Sequence, residues 1–185
     1  AADENIMNST RSTDFITPKS TISKVFRNAV LELAGKYPFA RALVNSGRLS
    51  VSCFLTESRL NTPDSAEFAG DMVPGAAMDD APITTASGEQ WLLGVLGNRF
   101  QLLHYVEDAA ALSADTVTQL QGLAEGDIPV QAIVVAQRGE APAGLLTVID
   151  SNNRIRERYD LNVGTTYLAR PDQHVAARWR ALDVA

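Results

Sequence analysis

The chain has 185 residues, which suits one domain or one domain with an appendage. Its 45% apolar and 21% charged residues are those of a soluble globular protein, able to bury roughly 70% of its unfolded surface without a disulfide or metal staple. A formal charge of −6 argues against nucleic acid as a partner, because neutralising phosphates needs clustered Lys and Arg. The charge is uneven: residues 1–75 carry eight acids and eight bases, so the whole excess lies in the rest and two segments of different character are expected. Cys53 stands alone, which removes an intrachain disulfide and a Cys-rich metal site and fits a reducing, cytoplasmic location. No apolar run reaches the length of a membrane span, so no membrane partner is expected. The start, Ala1 to Thr10, shows neither a signal pattern nor an initiator Met, and the chain is expected to be part of something longer.

Residues 1–47 read as helical. The first stretch, with Asp3, Asn5, Asn8 and Ser9, is polar and expects a neighbour. Thr17-Pro18 offers an N-cap followed by Pro at the first helical position. Ile22, Val25, Phe26, Ala29, Val30 and Leu33 then recur at helical spacing, with Gly35 as the stop. Pro38 opens a shorter helix that ends near Gly47. Residues 48–87 hold Pro63, Pro74 and Pro82 with Gly70 and Gly75, and lack periodicity; they read as an extended arm that packs without regular structure.

Residues 88–185 alternate element types. Phe100–Val106 reads as a strand and Leu112–Ala124 as a helix with Ser113 at its cap. Val130–Ala136 is a continuous apolar run, as in a strand buried on both faces. Gly144–Ile149 is a further apolar stretch, and Asp150 or Ser151 caps a short polar helix through Arg158. Thr165–Ala169 and His174–Ala177 are strands joined by Arg170-Pro171-Asp172-Gln173, whose central Pro-Asp suits a type I turn. The order β-α-β-α-β-β describes a small α/β sandwich with a mixed sheet.

That order is the one used by the thioredoxin-like fold. The run from Thr165 to Trp179, with Tyr167-Leu168-Ala169-Arg170-Pro171-Asp172 and Val175-Ala176-Ala177-Arg178-Trp179, resembles the carboxy-terminal signature of the phenol hydroxylase-like FAD-dependent monooxygenases, to which the hydroxyphenylpropionate hydroxylases are close. Gln173 stands where that signature usually has Gly. Pro74 to Ile83 resembles the lead-in to the same domain, without its usual Arg and first Pro. Ala1 to Ile6 resembles the helix that follows the family's FAD domain. The resemblance implies a parent enzyme that uses FAD, NAD(P)H and O2 to hydroxylate an aromatic small molecule. This chain would then be its C-terminal part: the last helices of the oxidoreductase body, an arm and a thioredoxin-like domain. It implies no catalytic, cofactor-binding or metal residue here, because the Gly-rich fingerprint and the later Gly-Asp motif precede the matched region. The expected partners are the rest of the flavoprotein chain and a second copy in a homo-oligomer. The alternative is a stand-alone thioredoxin-like assembly module without redox activity.

The remaining candidates read as structural. Cys53 lies in the arm, and with no Cys-x-x-Cys a disulfide oxidoreductase is excluded; as a small packing residue it outweighs a one-Cys peroxidase. His104 shares a strand face with Phe100, Leu102 and Val106 and reads as a hydrogen-bonded histidine at a core edge, while His174 follows a turn and reads as exposed. Glu107, Asp108, Asp115, Glu125 and Asp127 form a solvated acidic region without calcium-loop spacing. Arg154, Arg156 and Arg158 form a polar helix surface, the sharper alternative being an interface for an acidic patch. No Gly-x-Ser-x-Gly elbow is present.

Overall fold

The structure, a computed structural model, describes residues 2–44 and 53–182. It comprises two compact units, residues 1–53 and 54–185. The first is helical and the second is mixed α/β with a seven-stranded sheet. No helix among the described residues is long and apolar enough to cross a membrane.

In the helical unit, α1 spans Ala2–Ile16, α2 Thr21–Lys36 and α3 Pro38–Val44. The cap expected at Thr17 belongs instead to Ser20, whose Oγ accepts from Ser23 N at 3.1 Å. Thr17 closes the preceding helix: its N–H and its hydroxyl both donate to Thr13 O, at 2.8 and 2.7 Å. Gly35 does not end α2, which runs on to Lys36 and closes through Tyr37 N–H to Leu33 O. The apolar stripe of α2 is present, yet no residue of the helix is buried and Ile22 is 83% exposed. The end of α3 expected near Gly47 lies outside the described residues.

In the second unit, β1 (Pro82–Thr85) and β2 (Gly88–Trp91) form a hairpin, followed by the single turn α4 (Leu92–Val95). Then come β3 (Phe100–Asp108), α5 (Ala114–Gly122), β4 (Val130–Arg138), β5 (Leu146–Ile149), α6 (Arg154–Arg158), β6 (Thr166–Ala169) and β7 (Val175–Trp179). The sheet order is β2-β1-β5-β4-β3-β6-β7. β3, β4 and β5 are mutually parallel, while β6 runs antiparallel to β3 and β7 to β6. A parallel pair linked by a helix, continued by an antiparallel hairpin, is the thioredoxin-like arrangement expected from the element order. Ser113 caps α5 as expected, accepting from Thr116 N at 3.1 Å. Neither Asp150 nor Ser151 is the first residue outside α6; Asn153 is, in a left-handed conformation at φ 57°. Asp150 nonetheless serves that helix, because its Oδ2 accepts from Arg156 N at 2.9 Å.

Period-2 alternation sorts the strands onto two faces. Leu103, Tyr105, Ile133, Val135, Val148 and Tyr167 point into the larger core, which Leu92 of α4, Ile155 of α6 and Met72, Ala76 and Met78 of the arm complete. Leu102, Ala132, Val134 and Ala136 point the other way, against Leu120 of α5. Both faces of β4 are therefore covered, which is why its sequence is a continuous apolar run.

Residues 54–81 lack regular structure, as the arm reading expects. The β1–β2 hairpin is a correction: β1 lies in the region read as irregular and β2 just beyond it, where no strand was expected. β2 is exposed along its whole length and so carries no apolar alternation; only Gly88, at φ 103°, marks the turn.

Candidate functional site

The residues of the β6–β7 signature gather at one edge of the sheet, where the arm lies. Gln173 N–H donates to Arg170 O at 2.9 Å and Arg170 N–H to His174 O at 2.8 Å, closing the turn with Pro171 and Asp172 at its centre. Gln173 takes φ 59°, the left-handed conformation that explains why Gly is usual there. The side chain has a use that glycine lacks: Nε2 donates to Leu93 O at 2.8 Å and Leu96 O at 3.1 Å, carbonyls at the end of α4. Arg170, 9% exposed, donates to Asp172 Oδ2 at 2.7 Å and to Ser58 Oγ in the arm at 3.2 Å.

Arg178 is the deepest of the signature cations, its side chain 3% exposed. It grips Asp64 with two bonds, Nε to Oδ1 at 2.9 Å and Nη2 to Oδ2 at 2.7 Å, and Nη1 donates to Met72 O at 3.1 Å. Burial opposes its charge, but the bonds to Asp64 and Tyr167 outweigh this and leave the guanidinium pKa above its ordinary value. Arg180 donates to Glu67 O, to Asp160 O and to the Asp160 carboxylate. Both guanidinium groups lie against the Phe68 ring, at 4.3 Å for Arg178 and 3.8 Å for Arg180. Asp160 accepts from Ala69 N at 2.8 Å; that bond first, and Arg180 second, hold its carboxyl below the ordinary range. Behind this layer, Tyr167 OH donates to Tyr159 O at 2.7 Å and Tyr159 OH to Asp79 O at 2.6 Å. Burial raises the pKa of both phenols, so they remain neutral donors.

The chemistry of this cluster is attachment. Each named carboxylate, guanidinium and phenol is spent on another part of the fold, and the cluster contains no nucleophile paired with a base. Sequence reasoning missed it because Asp64 and Arg178 are 114 positions apart and nothing local marks the pair.

The candidates named from sequence are scattered. His104 is 5% exposed on the Leu102 face, and the expected hydrogen-bonded role needs correction: its Nδ1 is buried without a partner, and burial lowers its pKa. His174 is half-buried rather than exposed, with Nδ1 3.4 Å from Asp172 Oδ1. Cys53 is half-buried at the end of the first unit. The N-terminus of α5, where backbone donors would lower a thiol pKa, is preceded by Ala109-Ala110-Ala111-Leu112-Ser113. Asp108 is bonded to Arg138 Nε at 2.9 Å and to Ala110 N at 3.0 Å; these bonds, Arg138 first, lower its pKa. Arg154 pairs with Glu157 at 3.3 Å, and Arg156 and Arg158 lie exposed on the same helix. Among the described residues, no three or more His, Cys, Asp or Glu side chains gather where they could hold a metal. A separate groove of about 440 Å³ runs beside the hairpin, between Thr84, Glu89, Trp91, Ser151 and Asn152.

These features define a thioredoxin-like α/β unit with an arm fastened across its β7 edge. The chain belongs to the HcaD C-terminal domain family, whose model matches residues 75–185. No curated protein matches it. Among solved structures it resembles the flavin-dependent monooxygenase PieE, crystallised with FAD and substrate: 19% identity, TM-score 0.57, 89% of this chain and 28% of that one. It also resembles aklavinone-11 hydroxylase, crystallised with FAD and aklavinone: 21% identity, TM-score 0.50, 85% of this chain and 31% of that one. A Xanthomonas campestris bacterioferritin comigratory protein aligns at 15% identity and TM-score 0.48, over 64% of this chain and 89% of that one. The chain thus spans less than a third of the length of these two flavoproteins.

Proposed function

We propose that the chain is the C-terminal part of an FAD-dependent monooxygenase that hydroxylates an aromatic small molecule with NAD(P)H and O2, and that this part is structural rather than catalytic. One observation carries the structural role: the signature residues Tyr167, Arg170, Asp172 and Arg178 are engaged in holding the turn, the arm and the β7 edge together. Family membership and the likeness to two enzymes solved with FAD support the parent activity. On this reading residues 1–47 close the flavin- and substrate-bearing body, 48–87 form the arm and 88–185 the thioredoxin-like domain, with the sheet's first strand drawn from the end of the arm. The intact protein would be a cytoplasmic homo-oligomer.

The residues present do not fit a flavin. A dinucleotide pyrophosphate needs a Gly-rich turn at a helix N-terminus, and the sequence contains no Gly-x-Gly-x-x-Gly. The α5 N-terminus is met instead by Ser113, whose own oxygen takes the Thr116 N–H. On this reading FAD is held by the remainder of the parent chain.

The test compares this chain with the longer polypeptide encoded by its gene. The longer protein is expected to retain flavin and oxidise NAD(P)H in the presence of a phenolic substrate, and this chain is expected to do neither. Stoichiometric flavin retained by this chain would overturn the assignment. The stand-alone assembly module is favoured by a single feature, the bond from Leu55 N–H to Gly75 O at 2.7 Å, which closes the arm upon itself within residues 54–185. A colourless gene product no longer than this chain would select that reading.

A further inference from the structure

The outer edge of β7 is already used as a strand-pairing surface. Val175 N–H donates to Ala76 O at 2.9 Å, Gly75 N–H to Val175 O at 2.7 Å, and Thr62 N–H to Ala176 O at 2.8 Å. Two side-chain pockets adjoin that edge. In one, Arg178 takes a carboxylate bidentately; in the other, an aromatic ring lies against Arg178 and Arg180. The occupants are Asp64 and Phe68, four residues apart in one irregular segment. Residues 56–71 include no buried residue, in contrast to Met72, Ala76 and Met78 that follow; their further anchors are the Phe68 ring edge-on to Tyr167 at 6.0 Å, the bond from Ala69 N–H to Asp160 and those from Arg180 to Glu67 O. The bonds at Val175 belong to Gly75 and Ala76, so the segment itself contributes one backbone bond to the edge, from Thr62, and the side-chain pockets select it. A segment without a buried residue belongs to the part of a fold that opens first.

We infer that the β7 edge with Arg178 and Arg180 is a docking site for an irregular segment carrying a carboxylate and, four residues on, an aromatic ring. The chain's own residues 62–69 fill it, and the same segment of a second copy can fill it in exchange. The second copy is the occupant because its segment has the charge and shape already seated there. Bare backbone alone would not select it; the bidentate Arg178–Asp64 geometry and the Phe68 ring do. The exchange forms no new type of contact, so it is governed by how often the loop opens and by chain concentration.

The probe is a fluorescent peptide with the sequence of residues 60–71, titrated by anisotropy. An Asp64→Ala/Phe68→Ala variant removes the chain's own carboxylate and ring while leaving the site. The peptide is expected to bind this variant roughly tenfold or more tightly than it binds the unmodified chain, where the tethered segment competes. Adding Arg178→Met is expected to weaken that binding roughly thirtyfold or more, because a buried bidentate partner is lost. No binding to the folded double variant overturns the inference, as does binding indifferent to Arg178→Met. Should the double variant fail to fold, hydrogen exchange on the unmodified chain decides. Thr62 and Ala69 amides exchanging ahead of those in β3 and β4 support an opening segment, and exchange at one common rate overturns it.

Discussion

Replacing Gln173 sets two opposing contributions against each other. A residue with a Cβ in the left-handed conformation costs about 1–2 kcal/mol, and glycine removes that cost. Glycine also deletes the two bonds from Gln173 Nε2 to Leu93 O and Leu96 O, each contributing about 0.5–1.5 kcal/mol net. Gln173→Gly should therefore change stability little, between a gain of about 1 kcal/mol and a loss of about 2 kcal/mol. Gln173→Ala loses the bonds and keeps the strain, so it should be destabilised by about 1–3 kcal/mol. The difference between the two variants isolates the backbone contribution, since neither makes the bonds. Urea unfolding followed by circular dichroism gives both values, with the slope unchanged if only native-state stability moves. Equal stability of the Ala and Gly variants would refute the strain argument. An Ala variant as stable as the parent would refute the claim that the side chain ties the turn to α4.

Gly75→Ala should be among the costliest small substitutions. Its Cβ would sit 2.6 Å from the Leu55 carbonyl carbon and oxygen, on a backbone at φ 93°, so a loss of about 3 kcal/mol or more is expected in the same assay. A loss under about 1 kcal/mol would mean that the arm can shift freely. Ile133→Ala, fully buried in the larger core, should cost about 2–5 kcal/mol, measured as a fall in the urea midpoint. Stability should also fall as the pH drops below 6.5, the ordinary histidine value. Burial lowers the folded pKa of His104, so the unfolded chain takes up the proton first and gains on the native state until the folded pKa is passed. Urea midpoints between about pH 7.5 and 5 test this, and a slope unchanged in His104→Leu would assign it to other groups.

How far the sequence could be read depended on how local the cause was. The β4 run and the Ser113 cap are local, and both are where periodicity and capping rules put them. Thr17-Pro18 failed because two helices compete for one residue: the Thr17 hydroxyl satisfies Thr13 O at the end of α1, leaving Ser20 to start α2. The β1–β2 hairpin failed because β2 is an exposed edge strand, and an edge strand need not alternate. His104 was placed on the right face, but no sequence rule shows that its Nδ1 would lie buried without a partner.

The β6–β7 signature shows the same limit from the other side. Its turn chemistry is local and legible: Pro171 and Asp172 build the turn, and a left-handed residue must follow. Its arginines are not, because Arg178 answers to Asp64 and Met72, while Arg170 answers to Ser58 and Asp172. Three of those four partners lie in the irregular arm, where composition offers only Pro, Gly and polar residues. A motif rich in Arg, Asp and Tyr invites a catalytic reading, since those are the side chains of acid–base chemistry. Here burial raises both phenols above their ordinary pKa and Asp64 is held bidentately by a nearly inaccessible guanidinium. Phenols held in that way are poor proton carriers and good fasteners, because moving their protons would break the bonds from Tyr167 to Tyr159 O and from Tyr159 to Asp79 O.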